Sequence, residues 1–127
     1  MSWKLRIDQT REETLTSSAQ VRARLLELSR ESESAPTIVQ LISPRKATLS
    51  IGLGYEMSVL NFVPTNGWPA CTSVGDESAE GLLQYRVWDE VTELQAKHGV
   101  TLPDAVDAAV YYFNTEELSP SITWQHD

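Results

Sequence analysis

The sequence predicts an α+β domain. Its antiparallel sheet has about six strands, a helix near each end of the chain packs on one face, and a closing strand ends in Trp124. Two observations carry this reading. Apolar residues recur at helical spacing in 17–32 and again in 102–114. Between them, from Thr37 onward, the period is two, with turn residues every few positions. No internal repeat, low-complexity segment or long linker interrupts that order, and a chain of 127 residues reads as one domain over 1–127.

Residues 1–15 are polar apart from the alternating Trp3, Leu5 and Ile7, and read as an edge strand or a loose arm. Ser17 or Ser18 can cap the first helix. Val21, Leu25 and Leu28 then fall on one side of about three turns, and ESESAP breaks the helix. TIVQLIS is a β-branched run stopped by Pro44. ATLSIGL alternates Ala47, Leu49, Ile51 and Leu53 against small polar residues, so the two form a hairpin through Arg45-Lys46. GYE turns the chain into a central strand, MSVLNFV, and PTNGWP turns it again. ACTSV is a short strand and GDESAEG an acidic loop. LLQYRVW is a strand whose tip is Asp89-Glu90. VTELQ is its return strand or, given Glu93, Leu94, Gln95 and Ala96, a helix.

The last helix has clear start signals. Thr101 stands three residues before Asp104, and Pro103 fits a first turn whose N–H groups have no helical partner. Val106, Ala109, Val110 and Phe113 make its buried stripe, bordered by Tyr111 and Tyr112. Asn114 can end the helix, and Ser119-Pro120 opens the closing strand, with Trp124 in the core.

Composition narrows the function classes. Hydrophobic residues make up 41% of the chain, as in a soluble protein, and no apolar run reaches the roughly 18–20 residues a membrane span needs. The N-terminus lacks a signal-peptide apolar segment, so a cytoplasmic location is expected. Cys71 is the only cysteine, which excludes an intrachain disulfide, and it has no basic neighbour to activate it. The formal charge of −8 is uneven: eleven of the eighteen acids but only two of the ten bases lie beyond residue 75. Such a field repels nucleic acid and anionic membrane and attracts a basic partner; it also serves plain solubility.

No catalytic inventory emerges. His98 and His126 lie in unrelated segments without further ligands at zinc spacing. GLG at 52–54 lacks the helix a dinucleotide loop requires, and no nucleophile elbow is present. The pairs Glu12-Glu13, Asp76-Glu77, Asp89-Glu90 and Glu116-Glu117 are sequential rather than facing across a cleft. No catalytic residue, metal site or cofactor is expected. Trp68, Trp88 and Tyr55 fall on turns beside acids or glycines, where they either anchor an interface or cover the ends of the sheet.

The order LSIGLG, MSVLNFV, Gly67, Gly75-Asp76, a strand with Tyr85, VTEL and then LPDAVDAAVYYFNTEELSPSITW resembles the bacterial immunity proteins that sit beside polymorphic toxins of the deaminase superfamily. They include the one that protects against a double-stranded DNA cytosine deaminase. The likeness covers about 37–124 and is most specific at Ala105, Ala108, Ala109, Phe113, Thr115, Pro120 and Thr123-Trp124. It implies a non-enzymatic protein that docks on a cognate, basic deaminase-type toxin and covers its active site, without touching nucleic acid or membrane. The expected contacts are Trp68, Asp76, Glu77, Glu80, Trp88, Asp89, Glu90, Glu116 and Glu117, while the arginines of the first helix are expected to lie away from the partner. The rival reading is a small-molecule-binding or enzymatic domain whose pocket is lined by Tyr55, Trp68, Tyr85 and Trp88.

Overall fold

The fold is seen in a computed structural model that describes residues 2–67, 69–87 and 90–126. Among these the chain forms ten strands and two α-helices: β1 (Trp3–Arg6), β2 (Glu12–Leu15), α1 (Ser18–Glu31), β3 (Thr37–Ile42), β4 (Thr48–Leu53), β5 (Met57–Val63), β6 (Cys71–Val74), β7 (Leu82–Val87), β8 (Glu90–Gln95), β9 (Gly99–Thr101), α2 (Leu102–Thr115) and β10 (Thr123–His126). A single 3₁₀ turn, Ala96–His98, joins β8 to β9.

The α+β class agrees with the sequence reading, but ten strands replace the expected six. The first fifteen residues form a hairpin that extends the sheet at its edge, and β9 is too short to carry a periodic signal; β7 and β8 are the strand and return strand expected of LLQYRVW and VTELQ. The main path runs β10-β6-β5-β4-β3-β1-β2, with β9 on the far end of β5. Among the described residues every pairing is antiparallel except one parallel contact, Thr37 beside Arg86, which ties β7 to β3. The return segment 91–97 is mostly strand, in register with β7 from Leu82–Gln95 to Val87–Glu90.

Both helices cover the same face, since each contacts β4 and they pack on each other. Ser17 caps α1 through its side chain, accepting from the Gln20 amide, and Val21, Leu25 and Leu28 are buried as the spacing predicts. Thr101 caps α2 by accepting from the Asp104 amide. The buried stripe of α2 is rotated from the expected one: Ala105, Val106, Ala108, Ala109 and Tyr112 are buried, while Phe113 and Val110 are only partly covered. Tyr112 is therefore core rather than border. Its ring meets Trp3 at 5.1 Å and Phe62 at 5.6 Å, and its hydroxyl donates to the Ala47 carbonyl at 3.1 Å. Burial raises its phenol pKa.

The α2 helix runs past Asn114 to Thr115 and stops at Glu116, which takes a left-handed conformation (φ 58°) at a position glycine commonly fills. The closing strand differs from expectation in two ways. It continues beyond Trp124 to His126, and Trp124 is half-buried at the margin of the core, its indole N–H donating to the Ser119 carbonyl at 3.1 Å.

Among the described residues the opposite face carries no helix. Strand alternation and register place Leu41, Leu49, Ile51, Leu60 and Phe62 toward the helices. Ile38, Gln40 and Ile42 of β3, Thr48 and Ser50 of β4, Asn61 and Val63 of β5 and Thr72 of β6 then point the other way, all half-exposed.

Candidate partner-binding surface

The β7–β8 hairpin stands on the helix-free face at one end of the central strands. Its alternation is complete. Leu82, Gln84, Arg86, Val91, Glu93 and Gln95 are exposed on its outer side, while Tyr85 on its inner side is 1% exposed. Tyr85 rests on Gly52 of β4. A Cβ at position 52 would lie 2.5 Å from the Tyr85 ring, so only glycine leaves that room. Tyr55 meets the same ring edge-on at 5.3 Å and donates its hydroxyl to the Gln84 carbonyl at 2.8 Å. The Thr37 hydroxyl donates to the Arg86 carbonyl, and the Arg86 amide donates to the Pro36 carbonyl. Burial pushes the Tyr85 phenol up to about 12.

The acidic loop 75–81 is fixed beside the base of this hairpin. The amides of Gly75 and Asp76 both donate to the Lys97 carbonyl, at 2.9 and 3.2 Å, and the Ala96 amide donates to the Gly81 carbonyl at 3.0 Å. Gly75 is pressed against the Gly99 backbone, where a Cβ would collide with the Gly99 carbonyl oxygen. Asp76 accepts from the hydroxyl and amide of Ser78, which lowers its pKa and keeps the loop closed and charged.

Asp76, Glu77 and Glu80 thus lie beside the base of the hairpin, while Glu93, which was not among the expected contacts, stands partway along its outer side and Glu90 at its far end, opposite Val87. None of the five forms an ion pair among the described residues, whereas Arg6, Arg11, Arg22, Arg24 and Arg45 each face an acid elsewhere. Arg22 binds Asp107 at 2.9 Å and Arg24 binds Glu13 at 2.8 Å, so two of the first helix's positive charges are cancelled within the fold. Glu116 and Glu117 are not part of this tract. They follow the last turn of α2, near the β3–β4 turn, where Glu116 lies 3.6 Å from Arg45. Trp68, Trp88 and Asp89 lie outside the described residues.

Leu82 and Val91, 58% and 62% exposed, also went unread as surface residues. The return-strand reading of VTELQ, in register with β7, puts Val91, Glu93 and Gln95 on one side together with Leu82.

Cavities of about 380 and 300 Å³ lie on the surface, the first lined by Leu26, Gly54, Tyr55 and Leu102 and the second by Ile7, Leu28 and Thr37. Tyr55 and Tyr85, two residues of the rival pocket, do line one cavity with Pro36, Gln84 and Val91, but its volume is about 190 Å³, below the usual range for a ligand site. His98 donates through Nδ1 to the Ser73 carbonyl at 2.8 Å, a structural link across β6. Among the described residues no group of His, Cys, Asp or Glu is arranged to hold a metal ion, and no helix is long and apolar enough to cross a membrane.

Residues 9–126 match the family model described as Immunity protein Imm1. The chain belongs to the Imm1 immunity-protein family. The match takes in α1 and strand β2 as well as the segment 37–124 on which the sequence resemblance rests. An immunity protein of a polymorphic toxin system binds a cognate toxin and is not an enzyme. No curated protein matches this immunity protein in sequence.

Proposed function

We propose that this immunity protein acts in the cytoplasm and neutralises a basic toxin of deaminase type by docking over its nucleic-acid-binding active site. The observation that carries the reading is the set of acids along loop 75–81 and strand β8, unpaired among the described residues, in a chain five of whose ten bases face acids elsewhere. A nucleic-acid deaminase attracts a polyanion and admits a base to a zinc site. A fixed cluster of carboxylates competes for the same positive groove and speeds the encounter. The contact face then centres on Asp76, Glu77, Glu80 and Glu90, with Trp68, Trp88 and Asp89 as further contacts. A standard interface covers about 800 Å² per partner, wide enough for the loop and hairpin together. Glu116 and Glu117, beyond the far end of α2, add to the attracting field from a distance.

The test uses the toxin domain encoded in the neighbouring reading frame. Reversing Glu77, Glu80 and Glu90 to lysine is expected to slow association about tenfold or more at low salt and to flatten its salt dependence, with little change in dissociation. Stopped-flow or surface-based kinetics read both rates. An unchanged association rate would remove the electrostatic part of the proposal, and a neighbouring toxin without a histidine–cysteine zinc motif would remove the deaminase assignment.

A further inference from the structure

We infer that the helix-free face of strands β3–β6 is the floor on which the toxin seats, with the acidic hairpin and loop as its wall. The inference rests on the proposed reading of the partner as a basic toxin. The four central strands contain no Asp, Glu, Lys or Arg, although 22% of the chain is charged. On the helix side that is ordinary, because those residues are core. On the other side it is not. Gln40, Thr48, Ser50, Asn61 and Thr72 point outward, half-exposed, with no helix over them. The outward positions of the outer strands β1 and β2 carry Lys4, Arg6 and Glu12, so the depletion is confined to the centre. A solvated sheet face normally carries charge for solubility, and the core of an interface is depleted in it.

The floor adjoins the wall directly. Tyr85 lies over Gly52, the outward position next to Ser50 on the same strand, so the hairpin rises from the floor's own edge. Loop 75–81 leaves β6 at that same end, with Gly75 packed against Gly99 of β9, which pairs with Val59. A partner whose positive surface meets the carboxylates of the wall is thereby laid against the uncharged floor. A second copy of this chain fits poorly, because two molecules of net charge −8 repel and each would bring its own acidic wall.

The experiment places one large charge on the floor. Ser50→Arg and Thr48→Arg each point outward and should leave thermal melting of the free protein near that of the parent. Ala23→Arg on the exposed side of α1 serves as a control. With the neighbouring toxin domain as probe, either floor variant is expected to weaken binding about a hundredfold, mainly through faster dissociation, while the control binds as the parent does. Parent-level binding by both folded floor variants would overturn the floor and leave the acidic steering intact. No toxin binding by the parent would overturn the occupant and the proposed function together. A dimer of the free chain in sedimentation, broken by Ser50→Arg, would assign the floor to self-association instead.

Discussion

Replacing Tyr112 with alanine is expected to lower folding stability by about 3–5 kcal/mol, the range for losing a buried aromatic. Tyr112 is 1% exposed and joins three parts of the molecule. Trp3 from the N-terminal hairpin packs on it edge-on at 87°, Phe62 of β5 meets it from the sheet, and its hydroxyl reaches the Ala47 carbonyl at the β3–β4 turn. Truncation therefore opens a cavity and loses a buried hydrogen bond at once. Tyr112→Phe separates the two effects. It should lower stability by about 1 kcal/mol, since the Ala47 carbonyl still accepts from the Ser43 amide. Urea denaturation of the two variants measures both values.

Tyr85→Ala should have a comparable effect on stability, about 3–5 kcal/mol, with a second consequence that Tyr112→Ala lacks. Tyr85 is the inner anchor of the β7–β8 hairpin, so its loss frees the strand that carries Glu90 and Glu93. Toxin binding should weaken along with stability, even under conditions where the variant remains folded. Tyr85 also sets an alkaline limit. Its phenol is held at about 12 by burial, against 10.0 for an ordinary tyrosine. Below pH 10 the group is neutral in both states and its contribution is fully present. Between 10 and 12 the unfolded chain ionises first, so stability falls as pH rises through that window. Tyr85→Phe should flatten this slope in denaturation measured across the same range, leaving the part due to Tyr112, whose phenol is raised in the same direction.

The elements with strong local signals were legible in the sequence. Ser17 and Thr101 cap the two helices where their spacing to the apolar runs predicts, and Val21, Leu25 and Leu28 are buried as read. The strand count was not legible, because Trp3–Arg6 and Glu12–Leu15 are only four residues each and polar on one side, and Gly99–Thr101 has three. The rotation of the α2 stripe is hidden in the sequence for a related reason. Ala105, Ala108 and Ala109 are small enough to let the helix approach its neighbours closely, and periodicity weighs large residues over small ones. The placement of the acids depends on topology. Loop 75–81 lies beside the base of the β7–β8 hairpin because its backbone bonds to the Lys97 and Ala96 segment, a link of some twenty residues that charge patterning alone does not reveal, while Glu90 stands at the hairpin's other end, across from Val87. The same absence of long-range information left Glu116 and Glu117 grouped with them in sequence while the fold separates them. The uncharged floor was visible as a lack of charge in β3–β6, but only the helix positions show which half of it faces solvent.

Stoichiometric inhibition is the core of the account, and a titration tests it most directly. The toxin domain from the neighbouring reading frame is held at fixed concentration with its substrate, and increasing amounts of this protein are added. Activity should fall in a straight line to zero at equimolar protein, and the inhibited mixture should run as one complex containing both chains. Full toxin activity in the presence of excess folded protein, or inhibition complete at far below equimolar amounts, would contradict an inhibitor that works by occupying the toxin.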